Sequence, residues 1–334
     1  MKEENCIGVD VSKETLDIAL FNGVLDWKCG HTQVANSESG FKAFLKWTEA
    51  KGISPYTLRV CMEYTGLYCQ GFRRWLESED IIYYMVNPMK MHRYEVPENI
   101  KGLGKIKTDK TDAYRIAIYC FLNHHLQKPD RLPSPAFFQL RRLMTERRQY
   151  IKQTNLYKQQ EKDTPEFDTQ SAKDRKHAAL EFLNTQIDDV DKETKAIIYS
   201  DGELKKNYHL LLSVIGIGHI NAVNTIVMTE NFTAIDNPRQ YASYIGVAPF
   251  PKESGTSVRG KTKVSVQAFT RIKADLSISA ISSTRFDPLM KAYWNRKKAE
   301  GKHTGVVLNA VKFKLILRMF AVIKRQKEYV KISQ

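Results

Sequence analysis

The chain begins with three closely spaced runs in which apolar and polar positions alternate. These runs are Cys6–Ser12, Thr15–Phe21 and Val24–Val34. A period of two is typical of strands that bury one face, and the short gaps leave no room for a helix between them. The pattern therefore predicts an antiparallel meander of three strands.

The pattern then changes, and strands alternate with helices. Apolar runs at Leu58–Glu63 and Ile81–Val86 predict two more strands, and helical spacing occupies Ser39–Lys51 and Tyr68–Glu79. Strands that are connected through helices usually lie parallel. Three antiparallel strands joined through helices to two further strands is the plan of the ribonuclease-H-like α/β fold, and the same order also fits other mixed sheets.

Long helical patterns follow Pro135. The segments Phe137–Glu161 and Arg175–Ile198 flank a polar stretch and predict a helical hairpin or coiled coil. Each arm carries a loose apolar stripe, made of Leu140, Leu143, Ile151 and Leu156 in the first arm and Leu180, Leu183, Ile187 and Val190 in the second. Packing of the two arms on each other and dimerisation through them explain these stripes equally well.

A glycine turn interrupts the next helical stretch. Leu210–Val227 reads as helix, turn at Ile215–Gly218, and helix, which is a helix-hairpin-helix pattern. Gly216 and Gly218 would let the backbone approach a phosphate, to which the amides of the second helix would donate. An ordinary glycine turn in a buried helix pair is an equally good interpretation.

Positive charge is concentrated in two segments. The 334 residues include 52 Lys and Arg against 37 Asp and Glu, a net charge of +15. Residues 101–150 hold 11 basic and 4 acidic residues, and residues 251–334 hold 19 and 5, whereas the other segments are slightly acidic. Two basic regions on a near-neutral scaffold predict nucleic acid as the main partner.

The second basic region includes a helical tail, Lys261–Lys331, that we expect to contact phosphates. A charge run is usually a solvated helix face, but this excess of positive charge is larger than solubility requires. The candidate contacts are Arg296, Lys297, Lys298, Lys312 and Lys314.

Cysteine spacing and hydropathy indicate a cytoplasmic protein. The cysteines show no C-x-x-C pair and no zinc-finger spacing, so we expect reduced, mostly buried thiols at Cys6, Cys29, Cys61, Cys69 and Cys120. The N-terminus has neither the basic start nor the apolar core of a signal peptide. The uncharged stretch Asn207–Thr229 contains too many polar residues for a helix that faces hydrocarbon.

Two carboxylates end two of the predicted central strands. Asp10 lies in a strand whose opposite face is Ile7, Val9 and Val11, and Glu63 ends Leu58–Glu63 in the same manner. A carboxylate in an apolar strand is costly unless it has a partner. Either acid alone would be interpreted as an exposed strand end, but the pair in this fold indicates a shared site.

Two more acids stand in the segment KTDKTDAYR, Lys107–Arg115. Asp109 and Asp112 are three residues apart, so they share one face if the segment is helical. A helix start, capped by Thr108 or Asp109 and favoured by the helix dipole, is the competing interpretation. Four carboxylates from these elements would supply the oxygen ligands that Mg²⁺ prefers. Two such ions, roughly 3.5–4 Å apart, stabilise the attacking and leaving oxygens of a phosphoryl transfer.

Seven short motifs occur in order along nearly the whole chain. The first four are GVDVSK at 8–13, EYTG at 63–66, Asn87–Pro88 and KTDKTDA at 107–113. The C-terminal half adds GIG at 216–218, ASYIGVAP at 242–249 and ESGTSVRG at 253–260. Together they resemble the motifs of the insertion sequence 110 family of transposases, which combine a RuvC-like DEDD nuclease domain with a second, transposase-specific domain.

The resemblance implies a domain organisation and a set of site residues. It implies a RuvC-like catalytic domain at 1–130, a helical coiled-coil and dimerisation segment at 131–203, and a transposase domain at 204–334. Position by position, it makes Asp10, Glu63, Asp109 and Asp112 the metal-binding acids and Ser254 the nucleophile. The residues around Ser254 form a positive neighbourhood suited to a scissile phosphate, made of Lys252, Arg259, Lys261 and Lys263.

The implied function is a DNA recombinase that moves its own insertion sequence through a covalent phosphoserine link. Family resemblance also implies two Mg²⁺ ions, a non-coding bridge RNA that pairs with donor and target DNA, a dimer that forms a tetramer on DNA, and a bacterial cytoplasmic location at the nucleoid. No aromatic RNA-recognition strand is visible, so RNA binding depends on the resemblance and the basic segments. The alternatives are a Holliday-junction-type nuclease that activates water with the same acids, and a non-catalytic nucleic-acid-binding protein whose acids are structural.

Overall fold

A five-stranded mixed sheet organises the first of two units, residues 1–132 and 133–334. The computed structural model describes residues 5–23, 26, 30–64, 66–97, 108–163, 166–248, 250–254, 258–263 and 270–330. The strands are β1 (Asn5–Val11), β2 (Thr15–Phe21), β3 (His31–Ala35), β4 (Leu58–Glu63) and β5 (Tyr83–Val86). They lie in the order β3-β2-β1-β4-β5.

Strand directions in this sheet agree with the ribonuclease-H-like plan. The first three strands are antiparallel, whereas β4 runs parallel to β1 and β5 runs parallel to β4. The predicted mixed α/β N-terminal region is therefore confirmed. The third strand is shorter than its predicted run, and residues 24, 25 and 27–29 of that run lie outside the described part of the chain.

Helices cover both faces of the sheet. Helices α1 (Glu38–Glu49) and α2 (Gln70–Ser78) contribute Phe41, Phe44 and Phe72 to a core that contains the odd-numbered positions of β1. The short helix α3 (Pro88–Arg93) follows β5, and α4 (Asp109–Asn123) packs on the opposite face through small and apolar residues. The face of β1 that carries Asp10 is therefore the face that α4 covers.

The second unit is mainly helical, as predicted. Its helices are α5 (Pro135–Asp163), α6 (Gln170–Ser200), α7 (Gly202–Ser213), α8 (His219–Thr229), α9 (Pro238–Tyr244), α10 (Thr270–Phe286), α11 (Pro288–Ala299) and α12 (Thr304–Arg325). An antiparallel pair of strands, β6 (Phe250–Ser254) and β7 (Val258–Lys263), lies between α9 and α10. The main core joins α7, α8, α10 and α12 with one end of α5.

The apolar stripes of the two long helices have partners inside the chain. Helices α5 and α6 pack along each other, and Arg147 binds Asp191 across them with two hydrogen bonds of 2.7 and 3.1 Å. The buried stripe residues are Leu140, Leu143, Leu183, Ile187 and Val190. Of the two explanations for the stripes, packing of the arms on each other accounts for these positions, because each arm covers the other. Leu156 remains exposed, and so does Phe182, which was not assigned to a stripe.

The described cysteines are buried as predicted, and the described helices can be compared in length and hydropathy with membrane spans. The cysteines that the structure describes, Cys6, Cys61, Cys69 and Cys120, are buried and are not joined in disulfides, and Cys29 lies outside the described residues. Within the described ranges, no helix combines the length and apolar character needed to cross a membrane.

Candidate active site

Asp10 stands in β1 at the face that is covered by α4. Because Ile7, Val9 and Val11 point into the core on the other side, the alternation of the strand leaves Asp10 with Cys6 and Gly8. Burial, together with the negative charges of Asp109, Asp112, Glu63 and Asp17, raises the pKa of Asp10 to about 6. The four acids that the motifs singled out therefore share one electrostatic environment.

Helix α4 begins at Asp109, and a capping box defines its start. The Thr108 Oγ1 accepts from the Thr111 backbone N–H at 3.2 Å, and the Thr111 Oγ1 accepts from the Thr108 N–H at 2.9 Å. Because Thr108 supplies the cap, the carboxylate of Asp109 is not needed for it. Asp109 is exposed and Asp112 is half-buried, and both lie in the first turn. Both acids are therefore available to a ligand in addition to their favourable place at the helix N-terminus.

A cavity of about 410 Å³ joins Glu63 to Asp112. Glu63 reaches it from the end of β4, and Pro88 reaches it from the residues that follow β5. Arg115 also lines the cavity, with its guanidinium 3.8 Å from the Asp112 carboxylate and donating to the Tyr94 carbonyl at 3.0 Å. The exposed His92 contributes to the same wall. Acids and a cation thus face one space that is large enough for a phosphodiester group.

Asp17 is a buried acid of this cluster that sequence reasoning missed. It lies directly opposite Asp10 in the register of β1 and β2 and is 5% exposed. Its Oδ1 is 2.9 Å from His31 Nε2, and its Oδ2 accepts from Gln33 Nε2 at 2.8 Å. In the sequence, Asp17 stood out only as a carboxylate between apolar strand residues. The pairing register of β1 and β2 is what shows that Asp17 lies opposite Asp10. Arg115 and His92 were also missed, because their place depends on the packing of α4 and α3.

The acids do not form a closed metal cage. Among the residues that the structure describes, no three Asp, Glu, His or Cys side chains are grouped closely enough to hold one ion. Their chemistry nevertheless fits a divalent cation, because they offer oxygen donors. Burial and the neighbouring acids raise the pKa of Asp10, and a bound cation would stabilise the charge that they disfavour. The arrangement is an electronegative cluster beside an open cavity.

Ser254 is the last residue of β6, in the second unit. Its backbone pairs with Val258 of β7, and Lys252 pairs with Gly260. The backbone positions of Lys252, Arg259, Lys261 and Lys263 all belong to this strand pair, but the side chains of the pair lie outside what the structure describes. The predicted serine and its basic neighbours are thus brought together on one short hairpin.

The glycine turn between α7 and α8 is shaped by a neighbouring helix. Gly216 has a φ of +95°, and a Cβ atom there would stand 2.7 Å from the Ser279 carbonyl oxygen of α10. Close packing therefore explains Gly216 without a phosphate. Gly218 is the N-cap of α8 and has no atom within 4 Å of the position where a Cβ would lie. A cavity of about 440 Å³, lined in part by Gly218 and Arg147, opens beside it.

The basic residues of the tail differ in their accessibility. Arg296 and Lys298 are exposed on α11, and Lys297 pairs with Glu300 at 2.7 Å. The Lys314 Nζ lies 4.4 Å from the ring centroid of Tyr293. Lys312, in contrast, is only 6% exposed, and burial together with the charge of Lys273 lowers its pKa. Its burial argues against a phosphate contact at Lys312, which stays a prediction.

Comparisons with known proteins agree with the geometry. Residues 7–163 match a family profile described as "Transposase", and residues 208–295 match "Transposase IS116/IS110/IS902 family". The chain is 27% identical over 330 residues to the pilin gene-inverting protein of Moraxella bovis, and 26% identical over 329 residues to that of Moraxella lacunata, with 97% of each chain covered in both cases. It is also 31% identical over 128 residues to an insertion element IS900 protein of Mycobacterium paratuberculosis, covering 38% of this chain and 31% of that one.

Proposed function

The chain belongs to the insertion sequence 110 (IS110) family of transposases, and on this premise we propose that it cuts and rejoins DNA with a serine nucleophile and a divalent-metal site. The observation that carries the proposal is the convergence of the acids: Glu63 and Asp112 line one cavity, and the half-buried Asp10, whose pKa is raised first by burial, also feels the charges of Glu63, Asp109 and Asp112. Acids that destabilise one another without a structural need are typical of sites that bind a cation or a transition state.

The residues that would hold the metal are Asp10, Glu63, Asp109 and Asp112. A pair of Mg²⁺ ions bound there, as in other phosphoryl-transfer sites, would stabilise negative charge on the oxygens of a phosphodiester. Asp17 belongs to the same environment but is already bonded to His31 and Gln33. Its role is to hold the strand pair and to keep negative charge opposite Asp10.

Other residues of the cavity are suited to the DNA backbone. Arg115 lines the cavity beside Asp112, so its guanidinium would bind a phosphate oxygen beside the one that reacts. His92, exposed on the same wall, would donate to a neighbouring phosphate through a ring N–H. These contacts would place the scissile phosphate over the acid cluster.

The strand-transfer step assigned to Ser254 is a substitution at phosphorus. The serine oxygen forms a bond to the phosphorus of the scissile phosphodiester, the bond to one sugar oxygen breaks, and that oxygen leaves as a hydroxyl with the proton that the serine gave up. Rejoining reverses these events with a different DNA end. The place of Ser254 on a hairpin with four basic positions supports this assignment, because cations stabilise a phosphate under attack.

The proposed substrates and partners follow from the family and the charge distribution. The relatives named for pilin gene inversion suggest that this chain acts on an invertible segment or a mobile element flanked by matching ends. The two basic segments are suited to both DNA and a structured bridge RNA. A dimer that forms a tetramer on DNA, in the bacterial cytoplasm at the nucleoid, completes the proposal.

Recombination in cells, combined with capture of the covalent intermediate, tests this function. We expect Asp10→Asn and Ser254→Ala to abolish recombination, whereas Glu38→Gln, an exposed acid on α1, should retain it. Digestion of trapped reactions should yield a peptide with DNA attached at Ser254 in the wild type only. Cleavage by Ser254→Ala that leaves free phosphate ends would instead identify a water-activating nuclease. Normal recombination by Asp10→Asn would remove the metal site from the proposal.

A further inference from the structure

The segment that follows Glu63 carries large apolar side chains on the protein surface. Tyr64 is 44% exposed, Leu67 is 65% exposed and Tyr68 is 50% exposed, so three of five consecutive positions present such a side chain. The segment begins directly after a residue of the active-site cavity. A group of this kind beside a reaction centre indicates a contact surface, whereas single exposed apolar residues are ordinary.

Hydrogen bonds to the backbone of this segment hold it at both ends. The Tyr64 N–H donates to the Val86 carbonyl at 3.1 Å, which continues the pairing of β4 with β5 by one residue. The Tyr68 carbonyl accepts from Asn36 Nδ2 at 3.0 Å, and the same nitrogen donates to the Ser12 carbonyl at 2.9 Å. Ser12 lies two residues beyond Asp10. The Asn36 side chain therefore ties Tyr68 to the strand end that carries the first acid of the cluster.

The exposure of these side chains is not a consequence of a poorly packed region. Cys69 and Phe72, which follow immediately, are fully buried in the core, and the Cys69 thiol donates to the Gly66 carbonyl at 3.3 Å. Gly66 has a φ of +70°, which makes the sharp turn between Tyr64 and Leu67 possible. The fold thus buries one part of the segment and directs Tyr64, Leu67 and Tyr68 outward.

We propose that Tyr64, Leu67 and Tyr68 form a stacking surface for an unpaired DNA base next to the scissile phosphate. This proposal rests on the proposed function, because it assigns the form of the DNA at that same site. Flat aromatic rings stack on any base, whatever its sequence. A base within a duplex has both faces covered by its neighbours, so only an unpaired or displaced base offers a face to these rings.

The charges around the surface suit a nucleic-acid strand. Arg115 lines the adjoining cavity, with its guanidinium 3.8 Å from the Asp112 carboxylate, so a cation stands beside the acids. A base on Tyr64 would lead its phosphate towards this cation, because Tyr64 directly follows Glu63, which lines the same cavity as Arg115. The surface would therefore select locally unpaired DNA over intact duplex.

Fluorescence of an unpaired pyrrolocytosine in a short DNA duplex tests the proposal, because stacking quenches this base analogue. The full-length protein should quench the unpaired probe, and the double variant Tyr64→Ala, Tyr68→Ala should lose the quenching and bind this probe about tenfold more weakly. Affinity for the fully paired duplex should change little. The double variant Tyr64→Phe, Tyr68→Phe should restore both signals, because phenylalanine keeps the ring.

Tyr56 provides the matched control. It is 79% exposed and precedes β4, so it stands at the opposite end of the strand that Tyr64 follows. Tyr56→Ala should leave quenching unchanged, and thermal melts should show that all variants fold. Equal quenching by the Tyr64, Tyr68 alanine variant, equal losses for paired and unpaired probes, or stronger quenching with an RNA probe would each overturn the proposal. The readout needs no cleavage, so repeating it with Asp10→Asn separates failure of the stacking surface from failure of the catalytic assignment.

Discussion

Gly8 and Ala117 approach each other so closely that no side chain fits between them. A Cβ atom on Gly8 would stand 2.2 Å from the Ala117 backbone nitrogen and 2.1 Å from the Ala113 carbonyl oxygen. Helix α4 therefore rests directly on β1. Because Asp10 is two residues after Gly8 and Asp112 precedes Ala113, this contact brings the acids of β1 and α4 together.

Gly8→Ala should separate these acids. We expect the added methyl group to push α4 away from β1, to lower the free energy of unfolding by about 1–3 kcal/mol and to abolish recombination. Thermal melts and the recombination assay measure the two effects. Gly202→Ala is the control, because a Cβ there meets no atom within 4 Å. A Gly8→Ala protein with wild-type stability and activity would contradict the role of this contact.

Asp10→Asn should stabilise the metal-free protein above pH 6. The pKa of Asp10 is raised from 3.8 to about 6, so the folded state holds a proton that the unfolded state has lost, and stability falls as pH rises through this window. Asparagine does not ionise, and we expect a gain of about 1–2 kcal/mol at pH 7.5, reduced from the full shift because solvent screens the side chain. Denaturant unfolding at pH 4 and 7.5 measures it. The idea fails if the difference between the two proteins is the same at both pH values.

Substitutions in the α7–α8 turn should distinguish packing from phosphate binding. Gly216→Ala should destabilise the protein by about 1–3 kcal/mol, because its φ of +95° and the Ser279 carbonyl both oppose a side chain. Gly218→Ala should cost less than about 1 kcal/mol, since only the preference at the N-cap is lost. If the turn binds phosphate, Gly218→Ala will weaken DNA binding without altering the melt. Unchanged binding by a folded Gly218→Ala protein would leave the turn a packing element.

The exposed and the buried basic residues of the tail should respond differently to neutralisation of their charge. Arg296→Gln and Lys298→Gln remove exposed charges, so each should reduce the slope of log affinity against log salt by about one. Lys312→Met should leave this slope unchanged and raise the free energy of unfolding by about 1 kcal/mol, because it removes a buried charge beside Lys273. DNA titrations at several salt concentrations, with parallel melts, measure both. A reduced slope for Lys312→Met would return it to the phosphate contacts.

Self-association through the helical arms is best tested at their exposed positions. Charges at Leu143 or Leu183 would disrupt the packing of α5 on α6, because both residues are buried there. Leu156→Glu and Phe182→Glu change residues that are 57% and 61% exposed, so the hairpin should remain folded. If the arms dimerise, light scattering should show a monomer for these variants and a dimer for the wild type. The same mass for all proteins would exclude these positions from the interface.

Local pattern was sufficient for the strands and for the main acids. Alternation along β1 and β4 placed Asp10 and Glu63 opposite their core-facing neighbours, and a three-residue spacing put Asp109 and Asp112 in one helical turn. These features depend on the periods of single elements, which side-chain order alone determines. The seven motifs added the family and, through it, Ser254.

Only the tertiary structure showed which surfaces meet. The register of β1 and β2 placed Asp17 against Asp10, and the packing of α5 on α6 buried most of the apolar stripes. The close approach of α10 explained why position 216 is a glycine. The burial of Lys312 likewise depends on neighbours that are distant in sequence. Such contacts join segments whose separation along the chain carries no periodic signal, so a basic or apolar residue has the same local pattern whether the fold exposes it or covers it.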